Sequence, residues 1–265
     1  MSFDEYLDEA DFEQAPETWR TSRSVPVHVS AEYYLRQRVK NPLEAARLAR
    51  EGALKGSVES QCAWGHMLLT GHGTERDPEA AFRWFQIAAR EGDAAALNML
   101  GRCYERGWGV TLDFVEAARC YQRAADKSDH WAQFNLACLL VSGAGVARDY
   151  SAALTLLLNS ARAGNAKAMN MLGRFREEGW GGVEAKPHSA MQWYYRAANR
   201  GCFRGQFHFS RYLCREGRIG EAVLWLTKSL AAAPDDFVRE AVEMLRNSTI
   251  TEIRQAALTF EKGRT

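Results

Sequence analysis

Two asparagine–arginine pairs recur at the same spacing, Asn98 with Arg102 and Asn170 with Arg174. An asparagine side chain donates and accepts along a peptide backbone, and an arginine fork holds a carboxylate through two parallel N–H donors. Four residues is about one helical turn, so each pair shares a face. The pattern suits a grip on an extended peptide carrying an acidic group. Phe134 and Phe207 take the asparagine position in other parts of the chain, and Arg211 follows Phe207 at the same four-residue interval. Trp108 and Trp180 each stand six residues after an arginine, in a loop bounded by glycines. Such a tryptophan either anchors a partner or folds back over the adjacent helix end. The arginines have an internal alternative too, since Glu105 and Glu177 lie three residues beyond them.

Other chemistries find less support. The six histidines are scattered with no HExxH spacing, and the six cysteines show no CxxC pair. No catalytic residue, metal ligand or cofactor site is expected. The glycine-rich stretches Gly107 to Gly109 and Gly179 to Gly182 follow helical patterns instead of strands, which argues against a phosphate-binding loop. Net charge is +1, but seven acids and no base fall in residues 1–19. The rest carries 34 bases against 26 acids, a moderate +8 that is thin for nonspecific nucleic-acid binding. The start of the chain is acidic where a secretory leader would be basic, and no apolar run reaches the roughly 18 residues of a membrane span. Reduced, buried thiols and a cytoplasmic location follow as expectations.

The elements that position these residues come from a repeat. Ser57 to Gly92, Asp93 to Ser128, Asp129 to Gly164 and Asn165 to Gly201 align without gaps, apart from one extra residue in the last loop. Each begins with a capping side chain, has a small residue at its fourth position and a large one at its eighth, and ends its first helix at a glycine (Gly71, Gly107, Gly143, Gly179). The ninth position reads Gly65, Gly101, Ala137 and Gly173. Glycine inside a helix costs about 1 kcal/mol relative to alanine, so its recurrence predicts a neighbour packed too close for a larger side chain. Asp77, Asp113 and Asp149 open second helices. By helical angle, positions 6, 10 and 13 face away from the 4, 8, 12 core. Trp64, Trp84, Trp193 and Trp225 fall at packing positions.

The pattern A…LG..Y..G.GV..D...A..W...AA..G resembles the Sel-one-like repeat, a relative of the tetratricopeptide repeat, strongly over Ser57 to Gly201 and weakly on either side. The resemblance implies an all-α, right-handed superhelical solenoid of about six antiparallel helix pairs. Units are expected at 30–56, 57–92, 93–128, 129–164, 165–201 and 202–233, with capping helices over 234–265 and an acidic, flexible segment over 1–29. It further implies a non-enzymatic cytoplasmic adaptor or scaffold that binds a protein or peptide, with an acidic segment, along stacked first helices. Asn98, Arg102, Asn170, Arg174 and Arg211 form the expected polar groove, Phe134 and Phe207 its apolar contacts, with Trp108 and Trp180 at its edge. Neither nucleic acid nor membrane is an expected partner. Some members of the family are cysteine-rich secreted proteins that bind or hydrolyse β-lactams, which makes a hydrolase the alternative, although the cysteines here occupy six different repeat positions. A third reading has the acidic segment occupying the groove of its own chain.

Overall fold

The computed structural model describes residues 41–262. The acidic segment 1–29 and the first part of the unit expected at 30–56 lie outside them. The described residues form two compact blocks, 41–160 and 161–262. Among the described residues every regular element is a helix, as expected for the all-α class.

The first block contains α1 (Pro42–Leu54), α2 (Val58–Thr70), α3 (Pro78–Arg90), α4 (Ala94–Arg106), α5 (Phe114–Ala125), α6 (His130–Ser142) and all but the last two residues of α7 (Tyr150–Arg162). Consecutive helices from α1 to α6 pack on one another, giving the helix-pair stacking of a repeat solenoid. Their starts follow from side-chain caps. Asp93 and Asp129 each accept the backbone N–H three residues on, from Ala96 and Ala132, at 2.7 Å. The first helices α2, α4 and α6 stop at Gly71, Gly107 and Gly143 in the left-handed conformation. The chain is then tied back: Asp113 donates its backbone N–H to Tyr104 O at 2.9 Å, and Asp77 and Asp149 do the same to Leu68 and Leu140.

One position in each loop touches the preceding pair. Gly109 has φ +68, and a side chain there would run into the backbone of Pro78, the first residue of α3. Gly145 meets Phe114 at the start of α5 in the same way. Glycine is needed twice over, for its backbone conformation and for the approach.

Inside each pair the ninth-position glycine seats a ring. A Cβ on Gly65 would lie 2.8 Å from the Phe85 ring of α3, and one on Gly101 2.5 Å from the Tyr121 ring of α5. In the third unit, where Ala137 replaces the glycine, the register puts Leu157 where Phe85 and Tyr121 stand. The extra methyl and the smaller partner change together.

The second block holds α8 (Ala166–Glu178), a short turn over Trp180–Gly182, α9 (Pro187–Asn199), α10 (Phe203–Arg215), α11 (Ile219–Ala232), α12 (Asp235–Arg246) and α13 (Thr251–Lys262). Gly173 of α8 repeats the seat, with a Cβ falling 2.5 Å from the Tyr194 ring of α9. Asn165 caps α8, whereas Cys202 and Arg218, at the starts of α10 and α11, make no capping hydrogen bond through their side chains. Helix α13 packs on both α11 and α12. Phe237 of α12 meets Phe203 and Phe207 edge-on, with centroids 4.9 and 5.5 Å apart. Trp64 and Trp193 are buried, and Trp84 and Trp225 lie half-buried against their cores.

The ring seat makes a sign-specific prediction. Gly101→Ala gains about 1 kcal/mol of helix propensity but overpacks the Tyr121 ring at a cost of about 1–3 kcal/mol. Urea denaturation is expected to show a net loss for Gly101→Ala and a smaller loss, or a gain, in the Tyr121→Leu background. Coupling between the two sites should reach about 1 kcal/mol. A Gly101→Ala variant at least as stable as the parent in both backgrounds would remove the seat as a constraint.

Candidate functional site

Position 6 does not lie on the open face. Asn98 is 0% exposed, Asn170 6% and Phe207 5%. The physical reason is a seam between first helices of successive pairs, which a single-helix wheel leaves out. Asn135 of α6 donates Nδ2–H to Asn98 Oδ1 across that seam at 2.9 Å, and α8 likewise packs on α10. Phe207 is held by Phe237. Asn170 Oδ1 is buried without a hydrogen-bond partner among the described residues. Phe134 is half-buried on α6.

Position 10 stays within reach of solvent. The Arg102 guanidinium lies over the Trp108 ring at 5.1 Å, and Arg174 over Trp180 at 4.5 Å. Both loop tryptophans therefore fold back onto the arginine six residues earlier. Trp180 also meets Phe175 edge-on at 5.3 Å, and Arg176 Nη1 donates to Glu184 O at 3.3 Å, fastening that loop. Arg174 pairs with Glu178 at 3.1 Å.

Glu105 and Glu177 do not pair with Arg102 and Arg174. Each accepts the phenol hydroxyl of the tyrosine seated at its own glycine: Tyr121 to Glu105 at 2.5 Å, and Tyr194 to Glu177 at 2.8 Å. Burial, followed by the neighbouring carboxylate, raises both phenol pKa values well above the ordinary range, so both hydroxyls stay protonated donors. Neither tyrosine was expected at the site from sequence. Its signal was a set of letters that change together, glycine at position 9 with glutamate at 13 and tyrosine in the second helix.

The two blocks differ in what the next first helix adds. Helix α6 carries no Lys, Arg, Asp or Glu. Helix α10 presents Arg204, His208, Arg211 and Arg215, spaced i, i+4, i+7 and i+11 along one stripe. Arg211 and Arg215 both reach the single Glu177, at 3.5 and 3.7 Å. Arg211 Nη1 also lies 3.0 Å from His208 Nδ1. Because a guanidinium only donates, Nδ1 accepts and the imidazole proton sits on Nε2. The His208 ring stacks on Tyr194 with centroids 4.6 Å apart. With Arg174 on α8, this makes a cationic surface served by Glu177 and Glu178. Arg204, His208 and Arg215 stand at positions 3, 7 and 14 of their unit, outside the 6, 10 and 13 set that the helical angle of a single unit singles out, although their own helical spacing is plain in the sequence.

Two further observations bear on chemistry. A shallow cleft of about 320 Å³ on α1 and α2, lined among others by Leu43, Arg50, Leu54 and Trp64, has no histidine, cysteine or serine among the described residues of its wall. Among the described residues no group of three or more His, Cys, Asp or Glu is placed to hold a metal ion, and no helix is long and apolar enough to cross a membrane.

These stacked pairs, with their glycine-seated rings and glycine-bounded loops, define an α-helical repeat scaffold. The chain belongs to the Sel1 repeat family, whose repeat matches residues 58–93, 94–129, 132–165 and 166–202, more than half of its length. Sel1 repeats are a protein-interaction fold. A solved Sel1 repeat protein from Oxalobacter formigenes is similar over 87% of this chain and 98% of its own, with a TM-score of 0.71 and 24% identity. Rat DAP3-binding cell death enhancer 1 is 35% identical over 102 residues, 38% of this chain and 20% of that protein. Chitin synthase regulatory factor 3 of Schizosaccharomyces pombe is 34% identical over 133 residues, 49% of this chain and 14% of that protein. The chain thus spans a fifth or less of the length of these two relatives.

The His208 surroundings give a pH prediction. Burial first, then Arg211, pushes its pKa down to about 4, with Glu177 opposing and Arg174 and Arg204 adding to the depression. An unfolded histidine titrates near 6.5, so between about 6.5 and 4 the unfolded chain binds more protons. Stability is therefore complete above pH 6.5 and falls as pH drops through that window, by at most about 3 kcal/mol. His208→Asn, which copies Asn135, is expected to flatten this part of the stability profile. An unchanged profile would show that His208 is not the group responsible.

Proposed function

We propose that this chain is a non-catalytic cytoplasmic adaptor that holds an acidic protein segment against the first-helix surface of residues 161–262. The observation that carries this reading is the α10 stripe with Arg174 beside it, where Arg211 and Arg215 share one carboxylate that also accepts Tyr194. A carboxylate arriving from a partner completes these arginines in place of water, and forked guanidinium groups favour it over a neutral group. Trp180 holds Arg174 in place, which lowers the conformational cost of binding. In the first block, Arg102 on Trp108 and half-buried Phe134 form a less charged counterpart. Asn98, Asn170 and Phe207 serve in this reading as the wall behind the contacts. The names of the rat and yeast relatives, one DAP3-binding and one regulatory, support a role through protein partners.

Selection of a displayed random peptide library on the immobilised full chain tests this. The retained peptides are expected to be rich in Asp and Glu, to weaken as salt rises, and to bind Arg211→Glu/Arg215→Glu at least about tenfold more weakly. Retained peptides without acidic bias, or with equal affinity for both proteins, would overturn it.

A further inference from the structure

The cationic stripe belongs to a stretch with a large charge surplus. Residues 162–218 carry 11 Lys and Arg against 4 Asp and Glu, a net +7. The first block, residues 41–160, carries 12 against 14, a net −2. Residues 1–19 hold Asp4, Glu5, Asp8, Glu9, Asp11, Glu13 and Glu17 and no base, a net −7.

We propose that the occupant of the α10 stripe is this chain's own acidic segment, residues 1–19. The proposal rests on the reading that the stripe accepts an acidic protein segment, and names that segment. Charge complementarity selects the partner surface: the whole second block, residues 161–262, carries 16 Lys and Arg against 11 Asp and Glu, a net +5 that attracts the −7 segment, whereas the −2 block repels it. Spacing matches as well. Asp4, Asp8 and Asp11 recur at i, i+4 and i+7 in the sequence, the interval that separates Arg204, His208 and Arg211 on α10. Arg215 extends the stripe by one more turn. The remaining exposure of the cations leaves them open to such a contact: the Arg215 side chain is 58% and that of Arg211 35% accessible. Residues 20–40 join the segment covalently to the described residues, which raises its local concentration over that of any free competitor. An acidic partner then binds by displacing residues 1–19, so the segment sets the threshold for partner binding.

Photo-crosslinking in the full chain tests the contact. With Tyr6 replaced by p-benzoyl-phenylalanine, irradiation of dilute protein is expected to give crosslinks within one molecule, mapped by mass spectrometry to residues 167–215. They should be lost in Arg211→Glu/Arg215→Glu and regained when Asp4, Asp8 and Asp11 are also changed to Lys. Circular dichroism melting confirms that each variant is folded. Crosslinks to residues 41–160, crosslinks only between molecules, or none at all would overturn the proposal. A second measurement separates it from the broader reading. A fluorescent peptide of residues 1–19 is expected to bind the full chain bearing Asp4→Asn, Glu5→Gln, Asp8→Asn and Glu9→Gln about tenfold more tightly than the parent, because the competing segment has been disarmed. Equal binding to both proteins overturns occupancy by the chain's own segment while leaving acidic-peptide binding intact. Failure to bind either protein overturns both.

Discussion

The seat of an aromatic ring on a helical glycine is the contact on which the rest of this structure depends. A helix gives up intrinsic stability at Gly65, Gly101 and Gly173, and recovers it only because Phe85, Tyr121 and Tyr194 lie where a Cβ would stand. The seat sets how closely the two helices of a pair approach, and that distance decides what reaches past the ring. Where the ring is tyrosine, its hydroxyl lands on a glutamate one turn further along the first helix. Where the ring is phenylalanine, the corresponding residue is Leu69 and no polar link is made. Packing therefore determines which units can carry charge on their inner surface.

Glu177 shows how this becomes a site. In the second unit the next first helix after the equivalent Glu105 is α6, which carries no Lys, Arg, Asp or Glu. In the fourth unit the following helix is α10, which brings two arginines to the same carboxylate. One anion already engaged by a tyrosine cannot neutralise two guanidinium groups, and the excess is a local property of two adjacent helices. The half-buried, neutral His208 fits the same picture, because a second proton there would add charge beside Arg211.

The repeat period, caps, loop glycines and all-helical class were legible in the sequence because each rests on local chemistry within a single turn or pair. Helix ends at Gly71, Gly107, Gly143 and Gly179 follow from backbone conformation alone. The position-6 residues were misplaced because Asn98, Asn170 and Phe207 lie at a contact between neighbouring pairs, and helical angle measures only one helix. Arg102 and Arg174 are half-exposed and lie over Trp108 and Trp180, one of the two arrangements that the spacing of those tryptophans leaves open. The tyrosine–glutamate links join residues 16 and 17 apart, Glu105 to Tyr121 and Glu177 to Tyr194. Such links emerge only when the spacing between the two helices is known.

The contact of Gly109 with the start of α3, and of Gly145 with the start of α5, involves backbone and no recognition between side chains. Main-chain shape thereby sets the register of successive pairs beside the buried Asn98–Asn135 seam, as the teeth of a rack are indexed by pitch and not by colour. The letters on the exposed surface are free to drift or to be rewritten without disturbing how one pair follows the next. A scaffold of this kind separates inheritance of form from inheritance of specificity, so relatives with the same stacking need share no ligand.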